Sequence, residues 1–183
     1  MSDLPTADDV LAFWFEELEP KQHFVKDEAL DATIKARFFD LHRALMDGSV
    51  PDFTATARGK FAAIIVLDQF SRNMFRGEDA AFASDARALD LAKSLVWSGD
   101  DMGFTDDERV FLYMPYMHAE NLNDQDDCVR LFEVLGRPDN IDYALQHRDV
   151  IRRFGRFPQR NDALDRPSTP EEIDFITTPG TGF

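Results

Sequence analysis

The chain predicts an all-α fold of about eight helices stacked as antiparallel hairpins. Three observations carry this. Apolar residues recur at helical spacing along most of the 183 residues. Turn residues separate these stretches by short gaps, which makes successive helices antiparallel neighbours. Alternating strand patterns are nearly absent. The length suits one domain over residues 1–183, and without a strict period any repeat is degenerate.

The elements follow in order. Thr6, with Asp9 three residues on, reads as an imperfect capping box, and Val10, Leu11, Phe13, Trp14 and Leu18 give the first apolar face. A second helix runs from near Asp27 to Met46 on Leu30, Ile34, Phe38, Leu41 and Leu45, until "DGSVPDF" breaks it. A third starts at Thr54 and reaches the Gly77 region; its "FAAIIVL" is apolar on every side, the mark of a helix buried all round. A fourth spans Asp79 to Trp97, followed by "SGDDMGF" as a loop. Thr105 and Glu108 form a capping box for a fifth, which Pro115 kinks or ends. Asn123 caps a sixth that Gly136 stops, and a seventh runs from Pro138 to Phe154 with Gly155 as its stop. "STPEEIDFI" is the N-terminal signature of a short last helix.

Composition narrows function. A net charge of −15 and a pI near 4.5 argue against non-specific nucleic-acid or anionic-membrane binding, which needs a basic surface. Cys128 is the one cysteine, so there is no intrachain disulfide and no Cys-based zinc site, and a reducing compartment suits it. "MSDLPTADDV" carries no secretion signal, and the apolar runs 61–67 and 110–117 fall far short of the ~20 residues of a span; the expected location is the cytoplasm. No GxGxxG, Walker loop, GxSxG elbow or HExxH occurs, so no cofactor or metal is implied and no catalytic class is supported.

The informative residues are polar ones in phase with apolar faces. Asp68 falls on the face of Phe61, Ile64 and Ile65; Arg72 follows it by four and Asn73 follows Gln69 by four, both helix-neighbour spacings. The plain reading of this cluster is a buried Asp68–Arg72 pair that fixes packing, since a buried carboxylate must be paired. His118 is in phase with Phe111 and Met114, with Glu120 close behind, and His147 is in phase with Ala144, Val150 and Ile151. Each histidine alone reads as a satisfied core residue. Asp68, His118 and His147 together are also the candidates for acid–base catalysis.

The stretch "HRDVIRRFGRFPQRN" gathers five of the fifteen arginines. Arg152 and Arg153 stand in a last helical turn, where cations favour the dipole, and Asp149–Arg153 is an i,i+4 pair. Arg156 and Arg160 lie in the loop beyond Gly155 and have no such routine reason. The tail "TTPGTGF" offers one: Phe183 filling an apolar pocket with its carboxylate on an arginine.

The motifs "VLDQFSRNMFRG", "FLYMPYMHAENLNDQ", "HRDVIRRFGRFPQRN" and "RPSTPEEIDFI…PGTGF" resemble those of an uncharacterised bacterial family, domain of unknown function 924, over about residues 8 to 183. The resemblance implies an all-helical, tetratricopeptide-like (TPR-like) fold and no established activity. Against the family pattern, Ser71 stands where proline is usual, Ala119-Glu120-Asn121 where Ser-Glu-Asp is usual, and Gln159 where histidine is usual.

Three readings of function stand side by side. The first is a binding protein whose pocket takes a small anion or a peptide carboxylate on Arg72, Arg148, Arg152, Arg156 and Arg160, with Gln69, Asn73 and Glu120 beside them. The second is an enzyme using Asp68, His118 and His147, the substrate oriented by Arg156. In the third, all these groups are structural.

Overall fold

A computed structural model describes residues 4–179. Tail residues 180–183, and with them the expected Phe183 contact, lie outside the described residues. Secondary structure is helical throughout the described part: α1 (Ala7–Ala12), α2 (Glu28–Asp47), α3 (Ala57–Ile64), α4 (Ser71–Met74), α5 (Asp85–Ser98), α6 (Asp106–Met117), α7 (Leu122–Leu135), α8 (Pro138–Phe154) and α9 (Pro170–Thr177). A π-helical turn, Ile65–Phe70, joins α3 to α4 without a break, so these make one rod. Eight continuous helical rods result among the described residues, and the all-α class holds.

Caps explain most boundaries. Thr6 and Asp9 form a complete capping box, better than the sequence suggests. Asp27 caps α2 through the amides of Ala29 and Leu30. Four expected edges move. Thr56, not Thr54, caps α3, because Pro51–Thr54 closes a 3₁₀ turn. The fourth helix begins at Asp85 rather than Asp79, because Asp79–Ala81 closes a 3₁₀ turn and residues 82–84 turn before the helix starts. "SGDDMGF" is not plain loop, since Asp100–Gly103 forms a 3₁₀ turn. Asn121, not Asn123, caps α7, its side-chain oxygen accepting from the amides of Asn123 and Asp124. Pro115 sits inside α6, which continues to Met117.

The described chain divides into two compact units, the first reaching Arg76 and resuming over Ala80–Pro115, the second comprising Gly77–Asp79 and the chain from Tyr116 onward. The first unit is built on aromatic packing. Phe13 meets Phe38 at 5.1 Å between ring centroids, Phe38 meets Phe70 at 4.7 Å, and Trp14 meets Phe70 at 5.5 Å. Each such buried ring contributes about 1.5–3 kcal/mol, and all four are almost wholly removed from solvent. Gly59 lets α3 approach the preceding turn: a Cβ there would run into the Phe53 carbonyl oxygen.

The second unit pairs α7 with α8 across the tight Gly136–Arg137 connection, with Cys128, Val129 and Phe132 of α7 and Ala144, Val150 and Ile151 of α8 buried. Gly155 ends α8 in the left-handed region at φ 71°, which lets the chain reverse into the segment that follows. Phe157 then folds onto Val150 and Ile151, with Phe154 and Phe175 at the margin. No helix among the described residues is long and apolar enough to cross a membrane.

Candidate functional site

The first unit holds Asp68, Gln69, Arg72 and Asn73, on or just after the π-turn. Asp68 is fully buried, and the Arg72 guanidinium lies 3.1 Å from its Oδ1 while donating to its backbone carbonyl at 2.6 Å. The same guanidinium donates to both oxygens of Asp85, at 3.0 and 3.1 Å, in the first turn of α5. Gln69 donates to Asp68 Oδ2 at 2.5 Å and lies 3.3 Å from the Met114 sulfur. Asn73 donates to Asp31 at 2.7 Å, a carboxylate that Arg76 also grips. Asp68 and Arg72 are thus two corners of an ion-paired triangle that ties the π-turn to α5.

Beside it runs a chain that sequence reasoning missed: His42, Ser71 and Ser84. The Ser84 hydroxyl donates to the Leu67 carbonyl, Ser71 Oγ lies 2.8 Å from Ser84 Oγ, and His42 Nε2 lies 2.7 Å from Ser71 Oγ. A carbonyl only accepts, so the protons are ordered: Ser84 gives to Leu67, Ser71 to Ser84, and His42 Nε2–H to Ser71. The order runs opposite to that of an activated serine, whose proton goes to the histidine. Ser71 supplies the hydroxyl in the middle of the chain.

The second unit holds His118, Glu120, His147, Arg148, Arg152, Arg156 and Arg160. His147 is buried on α8, and its Nδ1 lies 2.8 Å from the Tyr143 carbonyl, so Nδ1 carries the proton. The ring lies 6.5 Å from that of His118 and 5.6 Å from Phe157, centroid to centroid. Arg160 stands 4.7 Å over the Phe157 ring and donates to the His118 carbonyl at 2.9 Å. Burial, then the neighbouring charges of His118 and Arg160, bring the His147 imidazole down to a pKa of about 3 against its bond to Tyr143, so it is neutral at pH 7.

The other arginines of the stretch likewise have partners within the chain. Arg156 clasps Glu172 at 2.7 and 2.9 Å and donates to the Pro167 carbonyl at 2.9 Å. Arg148 reaches Asp126 at 3.5 Å. Asp149 pairs with Arg152 at 3.1 Å instead of Arg153, because Arg153 reaches Glu171 at 2.8 Å. Arg72 belongs to the first unit's triangle. Only Arg160 of the five stands at the two histidines.

Glu120 is a structural hub. Its carboxylate accepts from Arg166 at 2.7 and 3.0 Å and from the Phe157 amide at 2.8 Å. Burial pushes this carboxyl up, but Arg166 and the amide outweigh it and hold it below the usual range. Arg166 also donates to Asn161 and to the Phe157 carbonyl, and Asn161 donates to Ser168. Arg166 carried no signal in the sequence, because nothing local marks a partner forty-six residues away. Gln125, fully buried, donates its amide to the Met117 and Ala119 carbonyls at 2.6 and 2.8 Å, meeting the acceptors left at the end of α6.

The remaining chemistry is quiet. Cys128 is buried and its thiol is pushed far up, away from thiolate reactivity. Among the described residues no group of three or more His, Cys, Asp or Glu is placed to hold a metal ion.

Fold and site together define an all-helical protein with an internally paired arginine network and one compact histidine–arginine cluster. The chain belongs to the family described as "Bacterial protein of unknown function (DUF924)", whose pattern matches residues 10–180. Among solved structures it is similar to a protein of unknown function from Agrobacterium tumefaciens, ATU0120, with 37% identity, a TM-score of 0.87, and 93% of this chain and 96% of that one covered. No curated protein matches it.

Proposed function

We propose that the chain is a bacterial, cytoplasmic, TPR-like binding protein that holds a small carboxylate at His118, His147 and Arg160 in its second unit. The observation that carries this is the grouping of His147 and the Arg160 guanidinium on the Phe157 ring, with the His118 ring beside His147 and Arg160 anchored on the His118 carbonyl. Arg160 supplies the positive charge of the cluster, and a guanidinium is suited to a planar carboxylate. Arg156, Arg148, Arg152 and Arg72 pair with Glu172, Asp126, Asp149 and Asp85 and stand away from this cluster. The tight α7–α8 pairing supports the TPR-like reading, and the acidic, single-cysteine composition supports the cytoplasm.

The test is a titration of acetate, propanoate and inorganic phosphate into the protein, followed through the imidazole proton and nitrogen shifts of all four histidines. Saturable shifts at His118 and His147, with His23 and His42 unmoved, are expected for the carboxylates. Uniform small drifts at all four would refute a site.

A further inference from the structure

We infer that a single buried water molecule bridges α7 and α8 in the second unit, accepting from Nε of Arg148 and donating to Oε1 of Gln125. This site is independent of the carboxylate reading above and stands or falls without it.

Gln125 is fully buried near the start of α7. Its Nε2 donates to the Met117 and Ala119 carbonyls at 2.6 and 2.8 Å and lies 3.4 Å from that of Tyr116. A carbonyl only accepts, so the amide has one orientation: turned end for end, Oε1 would stand against three oxygens. Oε1 is therefore a buried acceptor, and it has no hydrogen-bond partner among the described residues. Arg148 holds the matching donor. Its Nη1 lies 3.5 Å from Asp126 Oδ1, while its Nε–H is buried and likewise without a partner. The two groups come from facing turns of one helical hairpin. Each residue stands eleven positions from the Gly136–Arg137 connection, and Arg148 meets Asp126, the neighbour of Gln125. A buried polar group left unmet is costly, so both ask for a partner. They do not bond each other, so what satisfies both must accept at one end and donate at the other. An anion brings acceptors alone and fails at Oε1. A metal cation brings no acceptor and stands against the guanidinium charge. A neutral molecule with both functions remains, and between two closely paired helices water has the right size. Gln125 holds the carbonyls on either side of His118, and Arg148 follows His147 on α8. The bridge thereby ties the chain around His118 to the helix that carries His147.

The experiment follows the water itself on the intact protein, by two measurements. Magnetic relaxation dispersion of the water oxygen counts the molecules held for longer than the protein takes to tumble. A rotating-frame Overhauser spectrum reads transfer from water to the Arg148 Nε–H, and its sign separates a nearby water from proton exchange. The wild type should show the cross-peak of a nearby water. Arg148→Met, which sets a methyl group where Nε stood, should lose one long-lived water from the count. Asp126→Asn, which removes the charge of the ion pair and keeps Nε, should leave the count unchanged. An unchanged count in Arg148→Met overturns the inference, and an equal loss in both variants assigns the water to the ion pair and overturns it too. If Arg148→Met does not fold, the wild-type spectrum decides: an Nε–H that shows exchange alone, or a crystal structure in which Nε bonds Oε1 directly, contradicts the bridge.

Discussion

Glu120 holds Arg166 by two hydrogen bonds, at 2.7 and 3.0 Å, and with its third bond fixes the Phe157 amide. One carboxylate after α6 thereby sets the position of the loop after α8, on which Phe157 and Arg160 stand.

Removing that carboxylate should loosen the loop. Glu120→Ala leaves Arg166 and the Phe157 amide without their acceptor, and a half-buried pair of this kind costs less than the about 3–5 kcal/mol of a fully buried one. A loss of about 2 kcal/mol is expected, lowering Tm by roughly 4–8 °C in a chain of this size. Hydrogen exchange should rise at residues 156–166 and stay level across the first unit. A variant as stable as wild type, with no change in exchange, would mean that the loop is held by other contacts.

Asp68→Asn tests the triangle in the first unit. Arg72 keeps Asp85 but loses the charge of a fully buried partner, so a destabilisation of about 3 kcal/mol is expected by urea unfolding. The double variant Asp68→Leu with Arg72→Met, which removes both charges, should recover part of it. If Asp68→Asn is neutral, the pair does not carry the packing.

Gly59→Ala should be among the most damaging single changes to the first unit, because its Cβ collides with backbone, the Phe53 carbonyl, rather than with a side chain that can turn aside. A drop in Tm larger than that of Glu120→Ala is expected. A soluble protein with wild-type Tm would show that the Pro51–Thr54 turn moves freely.

Acid should destabilise the protein through its buried histidines. His147 is neutral in the folded state down to a pKa of about 3, whereas unfolded it binds a proton near 6.5. Between those values the unfolded chain carries more protons, so its contribution to stability is intact above pH 6.5 and is lost as pH falls towards 3. His23 and His42 are shifted the same way by burial, and Glu172, held down to about 2 by Arg156 and the Thr169 amide, adds a loss below 4.5. His147→Phe should flatten the dependence of stability on pH between about 6 and 4.5 by about 1.4 kcal/mol per pH unit. An unchanged slope would place a charged His147 in the native protein.

Much of this architecture was legible in the sequence because it is local. Thr105 with Glu108, Pro138 and Gly155 mark helix ends through bonds to residues three or four away, and the periodicity of α2 survives any detail of its neighbours. The Asp68–Arg72 pair was legible for the same reason. What escaped is long-range or depends on backbone register. The π-turn over Ile65–Phe70 leaves no mark in composition. Ser84 meets Leu67, seventeen residues back, a bond that no local pattern marks. Arg156 looked unexplained because Glu172 lies sixteen residues on, across a loop whose path the sequence does not disclose.

The proposed carboxylate site puts Arg160 in binding, with the two histidines, and leaves Arg156 to the fold. The most direct measurement is propanoate affinity by calorimetry in Arg160→Gln and Arg156→Gln beside the wild type, with Tm measured on the same samples. Arg160→Gln should lose at least tenfold in affinity, and Arg156→Gln should keep its affinity while losing Tm. Arg160→Gln binding as tightly as wild type, or Arg156→Gln losing binding at unchanged Tm, would contradict it.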